Sequence, residues 1–400
     1  MIRRGFQRRG QTMAQHYEDV DFALGGEVDE FHGTLRELRE QGPVGRVTYF
    51  GEPAYIFTTY EAVEAAYRDD DLFPAAAAFR EMTEPVLGRN LQCMHGAEHR
   101  RNRTLVSPYF RLRVMPGQVQ PILEELAHEI VDSFAGRGEA ELVEEFNRRF
   151  PGAVICRLLG IPLDRTVDLQ HLAHRLLSFP SDPTGALEAR EEITHVLDPL
   201  VDARRDRPGD DLISMLVNTE IDGDTLTNEE IFSFIRLLFG AGTDTTFFGL
   251  GNALYGLLTT PGAIDAVREH DDGAQWAIEE SLRWESPVSM EPRRAPTATE
   301  WFGQPIEAGA RLLFGISAAN RDPAVFANPD AFDVLRRPAS IMTFGIGQHF
   351  CLGAHLARAE LITALRVLLD RLPNLRLDDP DTCIGGTVLR GPRHLKVHFD

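Results

Sequence analysis

Four hundred residues correspond to two or three average domains or to one large enzyme domain, and either way the chain can bury a sizeable core. Its 41 Lys and Arg against 61 Asp and Glu leave a net charge of −20, which excludes a binder that tracks nucleic-acid phosphates through excess basic charge. Hydrophobic residues at 43% and charged residues at 26% are ordinary for a globular chain, arguing against both disorder and a membrane protein, and four cysteines make no disulfide scaffold.

The first twenty residues carry Arg3, Arg4, Arg8 and Arg9 but no apolar run, so they lack the core of a secretory signal and cannot anchor a membrane. We expect a disordered Arg-rich start over 1–20, with Met13 a second candidate initiation site, and a cytoplasmic protein. Cys93, Cys156, Cys351 and Cys383 are too widely spaced for a CxxC pair, which removes the usual support for zinc-ribbon and thioredoxin readings.

In chain order, VTYFGEPAYIFT at 47–58 reads as two strands around a turn at Gly51-Glu52-Pro53. The chain then becomes mainly helical. Ile122, Leu126, Ile130 and Phe134 share one helical face, as do Leu356, Ala359, Leu365 and Leu372 in the segment 353–372. Pro/Gly-marked stretches such as PSDPTG and RPGDD separate the helices, and LRLDD and HLKVHF return to strand near the end. There is no internal repeat, low-complexity tract or linker, and the pattern describes a helix-dominated α+β chain with small sheets near both ends.

The stretch 227–258 opens with Thr227 and Glu230 in capping-box spacing and continues as an apolar helix of roughly 45–50 Å. Gly240, Gly242, Thr243, Asp244, Thr245 and Thr246 gather poor helix formers at its centre, a local conflict expected at functional sites but also compatible with a harmless kink. Thr245 can bond the Ala241 carbonyl four residues back and open the ladder into a groove. Next, Glu280 and Arg283 stand at i,i+3, which taken alone is an exposed pair worth about 0.2–0.5 kcal/mol. In MTFGIGQHFCLGAHLARAELITAL, residues 342–365, glycines 345, 347 and 353 surround Cys351 just before an amphipathic helix. The helix N-terminus would stabilise a thiolate there. An inert buried cysteine and a catalytic thiol are the alternatives, but glycines crowding a cysteine suit a flat, bulky ligand lying across bare backbone.

At this point the chain resembles a cytochrome P-450, a haem-thiolate monooxygenase of the soluble bacterial type. The match is F-x-x-G-x-x-x-C-x-G through Phe344, Gly347, Cys351 and Gly353, and other segments agree in order along roughly 45–400. Glu280-x-x-Arg283 matches the family's buried pair, with Arg336 as third partner, so the surface-pair reading is reversed. AGTDTT matches the oxygen-activating groove. His99 and Arg103, Arg293 and His349 match the haem-propionate partners, with Arg294 an alternative register to Arg293. Leu91–Ala97 and PTATEW depart from the common pattern in ways that bear on loop shape and substrate access.

The resemblance implies a mainly α (α+β), triangular, helix-rich domain over 21–400, with haem b buried between the long central helix and the cysteine loop. It implies Cys351 as the iron ligand, Asp244 and Thr245 as catalytic residues supplying protons to O2, and Ala241, Gly242, Phe344, Gly345 and Gly353 against the haem. It also implies a separate ferredoxin or flavodoxin with its NAD(P)H reductase, and we expect a monomer. Arg111, Arg113 and Arg358 are candidates for a basic patch that receives the donor.

For a small to medium apolar substrate the candidate pocket residues are Phe79, Met82, Val86, Leu87, Phe234, Leu238, Ala241, Val288, Ser289, Met290, Val388 and Leu389. Their bland alternative is ordinary core. Phe248 extends the same face of the central helix, and Arg80 or Arg89 are candidates to anchor a substrate carboxylate. Competing functions are a peroxide-driven peroxygenase, a non-enzymatic haem sensor and a cysteine hydrolase. The Asp244-Thr245 pair favours the O2 route over the first two, and the hydrolase leaves the Glu/Arg and His/Arg segments unexplained.

Overall fold

A 32-residue helix, Asn228–Thr259, is the axis of the fold. The computed structural model describes residues 20–23, 26–221 and 223–400, so the Arg-rich start lies outside the described residues. The Thr227 hydroxyl accepts the Glu230 N–H, and the Glu230 carboxylate accepts the Thr227 N–H at 2.8 Å, closing the capping box read from the sequence. Buried residues such as Ile231, Ile235, Phe239, Leu250 and Leu254 then leave the helix little solvent face. The helices Arg149–Leu159, Thr166–Leu177, Gly273–Trp284 and Ala354–Arg371 pack around it.

Through the Gly/Thr stretch the helix stays continuous instead of opening. Thr243 and Thr245 donate their hydroxyls to the carbonyls of Phe239 and Ala241 at 2.8 and 2.7 Å, the second being the bond expected from the sequence. Gly242 has a packing reason: a Cβ there would lie 3.3 Å from Ile155 of the neighbouring Arg149–Leu159 helix.

The first hairpin pairs Val44–Tyr49 with Glu52–Phe57. Its turn is Phe50-Gly51, not Gly51-Glu52-Pro53, because both residues take positive φ, 52° and 71°. Such a turn matches the right-handed strand twist and allows only two linking residues. The Asp21 carboxylate pins it by accepting the Phe50 and Gly51 N–H groups, each at 2.9 Å. Glu52–Phe57 also pairs in parallel with Arg311–Phe314, which pairs antiparallel with Glu291–Arg294. Early and late chain thus share one four-stranded sheet. In a second sheet, Lys396–His398 lies between Arg376–Leu377 and Glu139–Glu141, so a strand from the middle of the chain joins the two expected at its end. Among the described residues no helix is long and apolar enough to cross a membrane.

Glu280 and Arg283, on the Gly273–Trp284 helix, are both fully buried. Arg283 grips Glu280 with two hydrogen bonds of 2.8 Å and gives its remaining donors to the carbonyls of Asn320, Pro329 and Ala331. Arg336 and the Asp333 N–H, both at 2.9 Å, complete the Glu280 carboxylate. One acid and two guanidinium forks thereby fasten the irregular segment 320–336 to a helix. Removing one member leaves uncompensated charge in a dry interior, so Arg283→Ala is expected to cost about 3–5 kcal/mol, read as a lowered urea midpoint. Arg283→Lys, which keeps the charge but loses the fork, is expected to fall between wild type and Arg283→Ala.

Candidate functional site

A cavity of about 390 Å³ lies between the central helix and the loop that precedes Ala354–Arg371. The central helix contributes Phe234, Leu238, Ala241, Gly242, Asp244 and Thr245, and the loop contributes Phe344, Gly345, His349, Cys351 and Gly353. Phe248, on the same helical face, packs over Gly391 instead and lies outside the lining.

The loop's shape follows from two glycines. Gly345 and Gly347 have φ of +63° and +78°, and a Cβ on Gly347 would come 2.8 Å from the Tyr67 carbonyl oxygen. Both are therefore required by the fold-back of the loop onto Tyr67. Only Gly353 faces open space, where a flat group meets bare backbone. The Cys351 N–H donates to the Phe344 carbonyl at 2.9 Å, and the thiol is accessible from the cavity although protein surrounds it. Burial pushes this thiol up, outweighing the Gly353 N–H and the Arg103 guanidinium that favour the thiolate. The helix-end stabilisation expected from the sequence is thus present but smaller than the desolvation. A metal at this sulfur would displace its proton on binding.

Beside the cysteine, His99 is 1% exposed, and neither ring nitrogen has a hydrogen-bond partner. Burial, aided by His349 and Arg103, lowers its pKa to about 4, so the ring is neutral at physiological pH. Its centroid is 4.1 Å from that of His349. Arg103, on the same helix as His99, also lines the cavity and donates to the Phe350 carbonyl. Buried nitrogens without partners cost about 1–3 kcal/mol each, and here they face a cavity that would accept an anionic group. Among the described residues no set of three His, Cys, Asp or Glu could hold a metal ion. The residues present fit haem b: the Cys351 thiol would hold its iron, Gly353 offers bare backbone, and His99, Arg103 and His349 would hold its acidic groups.

Several residues stand elsewhere than expected. Arg293 is buried but does not line the cavity. It lies on the same strand face as Glu291 and is held by it at 3.2 Å, with its guanidinium 5.0 Å from the Phe314 ring. Arg294 points outward to Glu81, so strand alternation selects Arg293 as the inward arginine. Val86 and Ser289 are core residues. Val86 joins the main hydrophobic cluster, and Ser289 is held by the Thr387 carbonyl. Phe79, Met82, Leu87, Val288, Met290, Val388 and Leu389 do form cavity wall. Arg80 donates to the Cys93 carbonyl, and Arg89 pairs with Glu98 and Glu84, so neither reaches the cavity.

Glu291 lines the cavity without any sequence signal, and the Tyr67 hydroxyl donates to it at 2.7 Å. Asp70 also has no sequence signal, and it stands behind the cavity lining beside His349. It accepts from His95 at 2.8 Å and lies 3.4 Å from His349 Nε2, orienting that ring. Burial raises the Asp70 pKa, but the nearby His349 ring and the hydrogen bonds from the Ala75 N–H and His95 outweigh it and hold the carboxyl below its usual range.

Fold and site together define a haem-thiolate protein. The cytochrome P450 family model matches residues 176–398, and the chain belongs to that family, whose cofactor is haem b. It is 36% identical over 377 residues to mycinamicin IV hydroxylase/epoxidase of Micromonospora griseorubida, covering 91% of this chain and 94% of that protein. It is 34% identical over 400 residues to 6-deoxyerythronolide B hydroxylase of Saccharopolyspora erythraea, covering 94% and 98%. The solved structure of the myxobacterial cytochrome P450 CYP267B1 in complex with myristic acid aligns with a TM-score of 0.84 at 30% identity, covering 93% and 96%.

If His99 and Arg103 hold the haem edge, Arg103→Ala and His99→Phe are expected to speed haem transfer to apomyoglobin by about 10- to 100-fold, the kinetic equivalent of one lost charge-assisted hydrogen bond. Unchanged transfer rates in both variants would remove them from that role.

Proposed function

We propose that this chain, a cytochrome P450 monooxygenase, inserts one oxygen atom of O2 into a C–H bond of a neutral, apolar organic molecule of small to medium size, using electrons from a separate ferredoxin or flavodoxin and its NAD(P)H reductase. The observation that carries this reading is the placement of Ala241, Asp244 and Thr245 in the same cavity as Cys351. Haem held by Cys351 supplies the binding and activation of dioxygen.

The chain's own residues supply the remaining functions. Ala241 and Gly242 keep the helix wall low where a substrate approaches. Thr245 Oγ1, now donating to the Ala241 carbonyl, is the polar break in an apolar wall and holds a proton donor at the reacting face. Asp244 lines the same wall and feeds protons to that position. His99, Arg103 and His349 fix the cofactor edge, and Asp70 fixes His349. Phe79, Leu87, Phe234, Leu238 and Met290 exclude water and fit an apolar guest.

The charge of the cavity narrows the substrate class. Arg103 is the one Lys or Arg on its described lining, and it sits at the cofactor edge, while the acids there are Asp244, Glu291 and Glu360. Nothing there neutralises a substrate carboxylate, since Arg80 and Arg89 are engaged elsewhere. A neutral macrolactone such as 6-deoxyerythronolide B is therefore a better probe than myristate. For the electron donor we propose an acidic ferredoxin docking on Arg111 and Arg113, both exposed. Arg358 is withdrawn from that patch: it pairs with Glu279 at 2.5 Å and stacks 4.3 Å from the Phe344 ring.

With ferredoxin, reductase and NADH, label from ¹⁸O2 is expected in the product, whereas peroxide alone should support little turnover; the reverse result would favour the peroxygenase. Cys351→Ala should abolish the thiolate-type Soret band of the reduced carbon monoxide complex, and persistence of that band would sink the assignment. Thr245→Ala is expected to lower product per NADH by an order of magnitude, on the order of tenfold, with the missing electrons recovered as hydrogen peroxide. Charge reversal at Arg111 and Arg113 should raise the KM for ferredoxin about tenfold and flatten its salt dependence.

A further inference from the structure

His174 lies on the Thr166–Leu177 helix with its Nδ1 3.1 Å from Oδ2 of Asp244. The two members of this pair face different media. The His174 side chain is 68% exposed, whereas Asp244 is 17% exposed and forms cavity wall. Asp244 bonds no other side chain among the described residues, and the neighbouring Thr245 hydroxyl is engaged by the Ala241 carbonyl. The imidazole therefore stands between bulk water and the carboxylate at the cavity wall.

We propose that His174 is the proton-entry residue of this site, taking protons from solvent and passing them to Asp244. The proposal rests on the reading of Asp244 as the acid that serves the Thr245 position. The imidazolium gives its Nδ1 proton to the Asp244 carboxylate, leaving a neutral ring and a carboxylic acid. The acid passes that proton to the Thr245 hydroxyl or to water beside it and becomes carboxylate again. The exposed neutral ring then turns Nδ1 to solvent, is reprotonated and returns. One proton enters and one leaves in each cycle, and no electron moves.

The chemistry of the partner distinguishes a relay from a clamp. A lysine or arginine would hold Asp244 equally well but would not release a proton near neutral pH, whereas an imidazole exchanges one in this range. Two charges act on the ring. Asp244, from the central helix, raises its pKa through the hydrogen bond and its charge; burial opposes this, as does Arg148, just before the Arg149–Leu159 helix and itself tied to Glu144. On its own helix Arg175 is engaged by Glu188 and Glu192 of the Pro183–Asp206 helix, which takes those charges out of play. The net effect raises the His174 pKa above 6.5. The charged pair is thus fully formed below that value and is lost as pH rises through the higher folded pKa.

The test uses holoprotein. In the ferrous carbon monoxide form, with ¹³C-labelled histidine, the His174 signal should titrate above 6.5 and fall toward the free value in Asp244→Asn. In turnover with NADH, ferredoxin and reductase, with and without 6-deoxyerythronolide B, electrons are partitioned between hydrogen peroxide and water plus product. Wild type should shift toward peroxide as pH rises through the His174 pKa. His174→Gln should release more peroxide at all pH values, losing on the order of tenfold in the water-plus-product share, less than the hundredfold or more typical of removing the acid itself. His174→Lys, which keeps the ion pair, should not rescue it. Rescue by lysine, or wild-type partition in His174→Gln, would overturn the relay. If His174→Gln changes the partition while Asp244→Asn does not, the reading of Asp244 fails and the route through it falls as well. If Asp244→Asn is defective and His174→Gln is not, only the His174 proposal fails.

Discussion

The structure depends on how Glu280 is satisfied in a dry interior. Its carboxylate is fully buried and takes Arg283, Arg336 and the Asp333 N–H. The consequences reach the cysteine through a chain of hydrogen bonds. Arg283 holds the Asn320 carbonyl, the Asn320 side chain receives the Met342 N–H at 2.7 Å and donates to Thr343, and Thr343 donates to the Leu282 carbonyl. Residue 343 is followed by Phe344, whose carbonyl takes the Cys351 N–H. A charged group that would be costly to leave unpaired thus fixes the loop that presents the thiol. Stability and site geometry share one network, so a defect in the pair is expected to disturb both.

The cavity edge works in the opposite sense. His99 is held neutral with both nitrogens unpaired, and this costs folding free energy that a well-packed apolar residue would not. Glu291 and Arg293 illustrate the same tension. In a strand that faces the cavity they neutralise each other, with Tyr67 on the acid and aromatic rings around the guanidinium. Asp70, by contrast, is held in place by His95, Gln348 and the Ala75 N–H.

Much of this was legible in the sequence because the physics was local or the motif long. The Thr227 capping box and the Thr245 back-bond each need only residues three or four apart, and both formed. The spacing of Glu280 and Arg283, by contrast, reads as a surface pair. Its burial depends on Asn320, Pro329, Ala331 and Arg336 arriving from elsewhere, and only the resemblance carried that information. Val86 and Leu87 are chemically alike and both belong to the main core, yet only Leu87 also lines the cavity because a short helix turns them to different neighbours. The parallel pairing of Glu52–Phe57 with Arg311–Phe314 spans more than half the chain and leaves no local trace. The same is true of Tyr67, Asp70, Glu291 and His174. Each is an ordinary polar residue in its own segment and gains meaning only from what lies across from it.

The net charge of −20 has to be weighed by distance. Exposed charges are largely screened beyond about 8 Å at physiological ionic strength, so the acidic body repels an acidic donor only weakly until contact. At contact the local surface decides. Around residues 111–113 two exposed arginines flank Leu112, whose 64% exposure is unusual for a leucine and offers an apolar anchor between two cations. Arg358, which the sequence alone would count with them, spends its charge on Glu279 and its flat face on Phe344. That contact has a different value: it braces the ring of Phe344, the residue whose carbonyl holds the Cys351 N–H. Of these three arginines two face solvent and one supports the loop, and an acidic protein can present a basic contact without changing the sign of its whole surface.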